Sequence, residues 1–261
     1  MTRIVSIANQ KGGVGKTTTA INLAASIAAC ERRVLLVDLD PQANATSGIG
    51  LSKSEEPSIY PVLVQGLSAK EALRKTEIPT LDVIPSSVDL VAAELELSDV
   101  DGREFRLRTA LESVAHAYDY VLIDSPPSLG LLTINGLTAA DSVLVPMQCE
   151  YFALEGISQL MTTVGRVRDG LNAALEIEGI ALTMYDDRVN LSRQVAEEVR
   201  THYGDKVYQS VIPRNVRLAE APSFGKPIIL YDIRSRGSEA YLALAREFIQ
   251  RAENHHLGIR L

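Results

Sequence analysis

The sequence predicts a single-domain α/β fold, a mostly parallel twisted sheet with helices on both faces. Three observations point there. Short β-branched runs alternate with segments of helical period, the pattern of βα units. Several of the strand-like runs are continuously apolar, as strands covered on both faces must be. The first run, Arg3-Ile4-Val5-Ser6-Ile7-Ala8, feeds directly into a glycine-rich loop and then a helix.

Taken in order, strands are expected at 3–8, 33–37, 81–84, 119–123, 142–146, 177–184 and 207–211. Helices are expected at 16–30, 103–117, 154–173, 190–203 and 236–253. Residues 48–80 are the weakest stretch, because Gly48, Gly50, Pro57, Pro61, Gly66 and Pro79 interrupt every period. In the last helix Tyr241, Leu244, Ala245, Phe248 and Ala252 form a stripe that reads as core, not as a membrane-binding face. The tail His255-His256 reads as a solvated end.

The chain has 261 residues, 46% of them hydrophobic, enough for one large core. No 18-residue apolar run is present, so a membrane span is not expected. The N-terminus lacks a charged-then-apolar signal, and a cytoplasmic protein is expected. Cys30 and Cys149 share no ligand spacing and read as two small buried hydrophobes. The net charge is −7, but it is uneven. Residues 1–180 hold 14 Lys and Arg against 23 Asp and Glu, whereas residues 181–261 hold 12 against 10. Such a weak basic zone is no constitutive nucleic-acid footprint, though two copies side by side would present a stronger one.

Three strand ends carry chemistry-bearing residues, and in an open α/β sheet ligands sit beyond such ends. The first is Lys11-Gly12-Gly13-Val14-Gly15-Lys16-Thr17-Thr18. Its glycines let backbone N–H groups close on an anion, Lys16 adds charge, and the Thr17 hydroxyl is placed for Mg2+. The loop is irregular, since the common phosphate-loop pattern needs glycine where this chain has Gln10. It also has an extra lysine, Lys11, and one nucleotide does not need two loop lysines from one subunit. The second is Asp38-Leu39-Asp40-Pro41-Gln42. Its two carboxylates leave the strand end on one side, either to hold metal-bound waters or orient an attacking water, or merely to cap a helix or face solvent. The third is the apolar strand ending at Asp124, followed by Ser125-Pro126-Pro127, a usual metal-side element when joined to a phosphate loop.

These elements, in this order, resemble the deviant Walker-A ATPases, the family of partition and cell-division positioning proteins on the P-loop NTPase fold. The signature K-G-G-x-G-K-[ST] is matched from Lys11 to Thr17. Asp38 to Thr46, Asp124 to Gly130, and Ile212-Pro213-Arg214-Asn215-Val216-Arg217 with the residues up to Gly237 resemble the chromosomal ParA (Soj) branch. The resemblance spans essentially the whole chain, 1–261. It implies the short type, without an N-terminal DNA-reading domain.

The resemblance implies ATP and Mg2+ as ligands and a homodimer formed on ATP binding. It implies that Lys11 crosses to the partner's phosphates while Gly12 to Thr18, with Lys16, hold the subunit's own. Thr17, Asp40 and Asp124 would surround the metal, with Asp38 nearby, and Asp40 would also support the attacking water. Pro213 and Asn215 would frame adenine, reached because strand 207–211 ends on the same edge. Arg188 and Arg217 would contact non-specific double-stranded DNA, placing the protein on the nucleoid. A ParB-type centromere-binding partner would stimulate hydrolysis. A membrane-cycling division-site ATPase of the same superfamily is the alternative, and it has no use for the two arginines.

Overall fold

The computed structural model describes residues 2–151 and 153–256. Seven strands form one sheet: β1 (Arg3–Ile7), β2 (Val34–Asp38), β3 (Arg74–Lys75), β4 (Leu81–Ile84), β5 (Tyr120–Asp124), β6 (Ser142–Gln148) and β7 (Glu176–Thr183). Their order is β3-β4-β2-β5-β1-β6-β7, parallel except for the two-residue edge strand β3. The helices are α1 (Lys16–Ala29), α2 (Asn44–Gly48), α3 (Ile59–Val64), α4 (Leu90–Glu96), α5 (Arg106–Glu112), α6 (Leu131–Ala139), α7 (Ala153–Gly170), α8 (Asn190–Tyr203), α9 (Val216–Glu220), α10 (Ile228–Tyr231) and α11 (Arg236–His256).

The strand alternation divides the core in two. On β2, Val34 and Leu36 join the layer under α1 and α11, while Leu35 and Val37 join the layer under α3 to α6. The predicted stripe of α11 is core: Tyr241, Leu244, Ala245, Phe248 and Ala252 are all buried, and the Phe248 ring packs 5.3 Å from that of Tyr120. Residues 257–261, and the side chains of His255 and His256, lie outside the described residues.

Chain order reverses at β1, which runs to β2 on one side and has β6 on the other. That crevice is where parallel sheets place ligands. The registers Ile7↔Asp124 and Asp38↔Asp124 bring the three candidate strand ends side by side.

Three expectations need correction. Residues 207–211 form no strand; only an isolated bridge, Ile180↔Val207, joins them to β7. The reason is competition for donors, because the N–H groups of Gln209 and Ser210 donate to the Glu247 carboxylate on α11, each at 2.9 Å. The expected helix 103–117 is α5 flanked by two 3-10 turns, Arg103–Phe105 and Ala115–Ala117. Cys149 is buried as expected, but Cys30 is only half-buried.

Candidate active site

The loop leaving β1 is held by side chains around it. Asn9 donates from Nδ2 to the Pro146 carbonyl (2.8 Å) and accepts the Lys11 N–H (3.0 Å). Thr183, at the end of β7, donates its hydroxyl to the Val14 carbonyl (2.8 Å). Gly13 and Gly15 have φ of 74° and 87°, a region costly for residues with a Cβ. Gly15 precedes α1, and no side chain caps that helix. The N-terminal amides of a 14-residue helix are therefore left for an anion, with the helix dipole in support.

Lys16 is buried and donates to the Lys11 carbonyl at 3.2 Å. Burial pulls its ammonium below the usual lysine range, and the carboxylates of Asp124 and Asp40 oppose the fall. Lys11 is half-buried at the loop mouth, its Nζ 2.8 Å from Glu150 Oε2.

The three aspartates have separate environments. Asp38 is fully buried and committed to structure. One oxygen accepts the Asp40 N–H (3.2 Å), and the other accepts both the N–H and the hydroxyl of Thr46 (2.7 Å each). Burial pushes its carboxyl up to about 6 despite those donors. Asp40 accepts the Gln42 N–H at 2.9 Å, which fixes its rotamer at the strand exit. Asp124 is fully buried and neither of its oxygens completes a hydrogen bond. Burial raises its carboxyl well above the usual range, the Asp38 charge adds to that, and the nearby Thr17 hydroxyl opposes it.

An unpartnered buried carboxylate is costly and asks for a cation. Asp124 fits Mg2+, with Thr17 beside it and Asp40 across the strand exit. No group of three or more His, Cys, Asp or Glu is placed to hold a metal among the described residues. Mg2+ does not need such a cage, since one or two protein oxygens with substrate phosphates and water suffice.

The adenine-framing candidates reach this edge by a different route from the one expected. Ile212 donates to the Leu182 carbonyl (2.8 Å) and Tyr185 to the Ile212 carbonyl (3.0 Å), so the 212–215 loop hangs on the end of β7, beside Thr183 and the phosphate loop. Pro213 bridges Tyr185, and Asn215 caps α9 by accepting the Leu218 N–H (3.1 Å).

The same bridge joins the loop that carries Arg188 to the segment that leads into α9, and α9 carries Arg217. Neither arginine is unpaired. Arg188 grips Asp186 through two bonds (2.7 and 2.9 Å), which hold that carboxyl down at about 2. Arg217 pairs with Glu220 (3.0 Å) and lies 3.6 Å from Asp232.

Thr46 ends the motif that begins at Asp38, but its sequence position alone assigned it no role. It is fully buried, and its hydroxyl also accepts the Ser86 N–H at 2.9 Å, wiring Asp38 to the exit of β4. Its place eight residues after Asp38 was the available signal.

Comparison with known proteins completes the picture. Residues 2–177 match the protein family described as an AAA domain. The chain is 59% identical over 250 residues to the chromosome partitioning protein ParA of Myxococcus xanthus, covering 95% of this chain and 88% of that protein. It is 58% identical over 248 residues to the sporulation initiation inhibitor protein Soj of Bacillus subtilis, covering 95% and 98%. Among solved structures, the cobyrinic acid a,c-diamide synthase of Mycobacterium smegmatis with bound ATP analog and magnesium superposes with a TM-score of 0.86 at 37% identity, covering 98% of this chain and 97% of that one.

Proposed function

The chain belongs to the ParA/Soj family of chromosome-partitioning ATPases, and from that membership we propose that ATP drives it into a DNA-binding dimer which a ParB-type partner dismantles by stimulating hydrolysis. The observation that carries the nucleotide half is the Asp124 carboxylate, buried without a hydrogen bond at the one sheet edge that also presents Lys16 and the uncapped start of α1.

In this reading the amides from Gly12 to Thr18 and the Lys16 ammonium hold the phosphates of ATP, and Pro213 and Asn215 border the adenine. Thr17, Asp40 and Asp124 hold Mg2+, which when bound neutralises charge on the phosphates. Asp40 orients the attacking water. Lys11 exchanges Glu150 for the phosphates of the facing subunit, where a cation stabilises developing charge only once the dimer has formed. Because ATP and dimerisation then favour each other, each raises the affinity for the other by the same factor. Basal hydrolysis is slow, because the site is complete only in the dimer.

DNA binding follows from the charge distribution. One subunit offers Arg188 and Arg217 on an acidic body; two subunits double those contacts. Each phosphate contact adds roughly 0.9 to the log–log salt slope, so the dimer's binding is the steeper. The 1–261 unit serves as one ATPase domain, working on the nucleoid in the cytoplasm.

The test is retention of double-stranded DNA without nucleotide, with ADP and with ATP, across a salt series, with oligomeric state measured in parallel. Retention only with ATP, in step with dimer formation, is the expected result. Equal retention with ADP and ATP, or retention by an ATP-bound monomer, overturns the reading.

A further inference from the structure

Helix α4 follows directly from the exit of β4 and buries Leu90, Ala93 and Leu97 against the sheet layer. At about 100° per residue those three share one face. The opposite face carries Val91 and Leu95, 64% and 78% exposed, and Val88, 70% exposed, stands in the turn just ahead of the helix. Three core-type side chains in one continuous exposed stripe are unusual on a surface otherwise free to be polar. The same geometry sets Asp89 and Glu96 along one margin of the stripe and Glu94 along the other, and all three are exposed. Between Lys75 and Arg103 the sequence has no Lys, Arg or His to offset them.

We propose that this ridge is the docking surface for a basic amphipathic helical segment of another protein. The apolar stripe would take the apolar face of such a helix, and the acidic margins its flanking lysines or arginines. A second copy of this chain is the poorer occupant. Pairing the ridge with itself would set acid against acid along both margins, a juxtaposition that interfaces avoid.

The ridge also bears on the candidate active site. The Glu94 carboxylate occupies the space that a Cβ on Gly130 would take, so α4 lies against the segment that follows Asp124. Ser86, just ahead of the ridge, donates to Thr46 Oγ1 (2.9 Å), which in turn donates to Asp38 (2.7 Å). A segment docked here therefore touches elements fixed to both aspartate-bearing strand ends. That regulatory consequence rests on the partition-ATPase reading; the docking itself does not.

The experiment uses the full chain without nucleotide and a labelled 18-residue Lys/Leu amphipathic peptide, with a Glu/Leu peptide of the same pattern as control, read by fluorescence anisotropy over a salt series. The Lys/Leu peptide should bind and the Glu/Leu peptide should not. Val91→Ser with Leu95→Ser should weaken binding at least tenfold. Glu94→Gln with Glu96→Gln should weaken it and flatten the salt dependence. Val189→Ser with Leu191→Ser, which alters exposed apolar residues elsewhere, should change nothing. Thermal unfolding checks that each variant folds, and Leu95→Ala alone serves if the double serine variant does not. Undiminished binding in the ridge variants, equal binding of both peptides, or a ridge variant that loses self-association of the wild-type chain instead would each overturn the proposal. Absence of ATP turnover in the wild type would remove the partition reading and leave this measurement intact.

Discussion

Lys11 Nζ lies 2.8 Å from Glu150 Oε2, so the lysine at the mouth of the phosphate loop is held by an acid of its own subunit. The two side chains are 35% and 46% exposed, a setting in which an ion pair contributes about 0–1 kcal/mol. Such a tether orients Lys11 and gives way readily to a phosphate. Each dimer releases two such pairs, so Glu150→Gln is expected to strengthen ATP-dependent dimerisation by up to about thirtyfold, the equivalent of ~2 kcal/mol. Lys11→Ala should keep ATP binding and lose the dimer. Sedimentation velocity with ATP and with ADP checks both, and a weaker dimer in Glu150→Gln would show that Glu150 supports the dimer instead of competing with it.

Lys16 and Asp40 should separate binding from turnover. Lys16 is buried at the uncapped start of α1, so Lys16→Ala removes the cation that the proposed site offers to the phosphates of ATP. Loss of ATP binding by calorimetry is expected, and normal affinity would remove the loop assignment. Asp40→Ala should bind ATP and accumulate as a dimer that does not turn over. A variant that stays monomeric with ATP would contradict the role given to Asp40.

Much of this arrangement was legible in the sequence, for physical reasons that also explain the gaps. Val34 to Val37 are buried on both faces, so their apolar run announced a central strand. The phosphate loop was legible because its glycines and Lys16-Thr17 stand in the one context that gives them a job. Helix α6 was not foreseen. Leu132, Thr133, Asn135, Gly136 and Leu137 are all buried, so no polar face marks its period. The 207–211 segment looked like a strand because Val207, Tyr208 and Val211 favour one. What withheld the ladder was Glu247, 37 residues from Ser210 in sequence and invisible to any local pattern. The tether on Lys11 was hidden in the same way, since Glu150 lies 139 residues along the chain.

Arg217 tests the DNA surface. Its guanidinium is 55% exposed and lies against Glu220 and Asp232, so contact with a phosphate requires exchanging those partners. Arg217→Glu should preserve the ATP-dependent dimer and abolish DNA retention. Arg217→Ala should reduce the log–log salt slope of the dimer by roughly two, one lost contact per subunit at about 0.9 each. Unchanged retention in the glutamate variant would sink the surface assignment.

The two thiols should differ in reactivity. Cys149 is buried, and burial pushes its thiol up to about 11 although Arg200 opposes the shift. Since the thiolate is the nucleophile, native Cys149 should resist alkylation even at pH 9, while half-buried Cys30 reacts. Mass spectrometry of a timed iodoacetamide reaction checks this. Equal labelling of the two before unfolding would contradict the burial of Cys149.

Glu247 anchors the segment that replaced the expected strand. It accepts the amides of Gln209 and Ser210 and pairs with Arg251 Nη2 at 2.7 Å. The Arg251 guanidinium in turn lies 4.1 Å above the Tyr208 ring and donates to the Val207 carbonyl. Burial alone would raise the Glu247 carboxyl, but the two amides and Arg251 together hold it below the usual range. A depressed carboxylate contributes stability that is present above its unfolded value, about 4.3, and is lost as pH falls through the folded value. Glu247→Gln is therefore expected to cost about 2 kcal/mol at pH 7, the scale of hydrogen bonds to a charged group. That cost should shrink steadily as pH is lowered from 5 toward 3. Urea unfolding of both proteins across that range checks it. A difference that does not change with pH would mean that shape and packing, not the carboxylate charge, hold the segment in place.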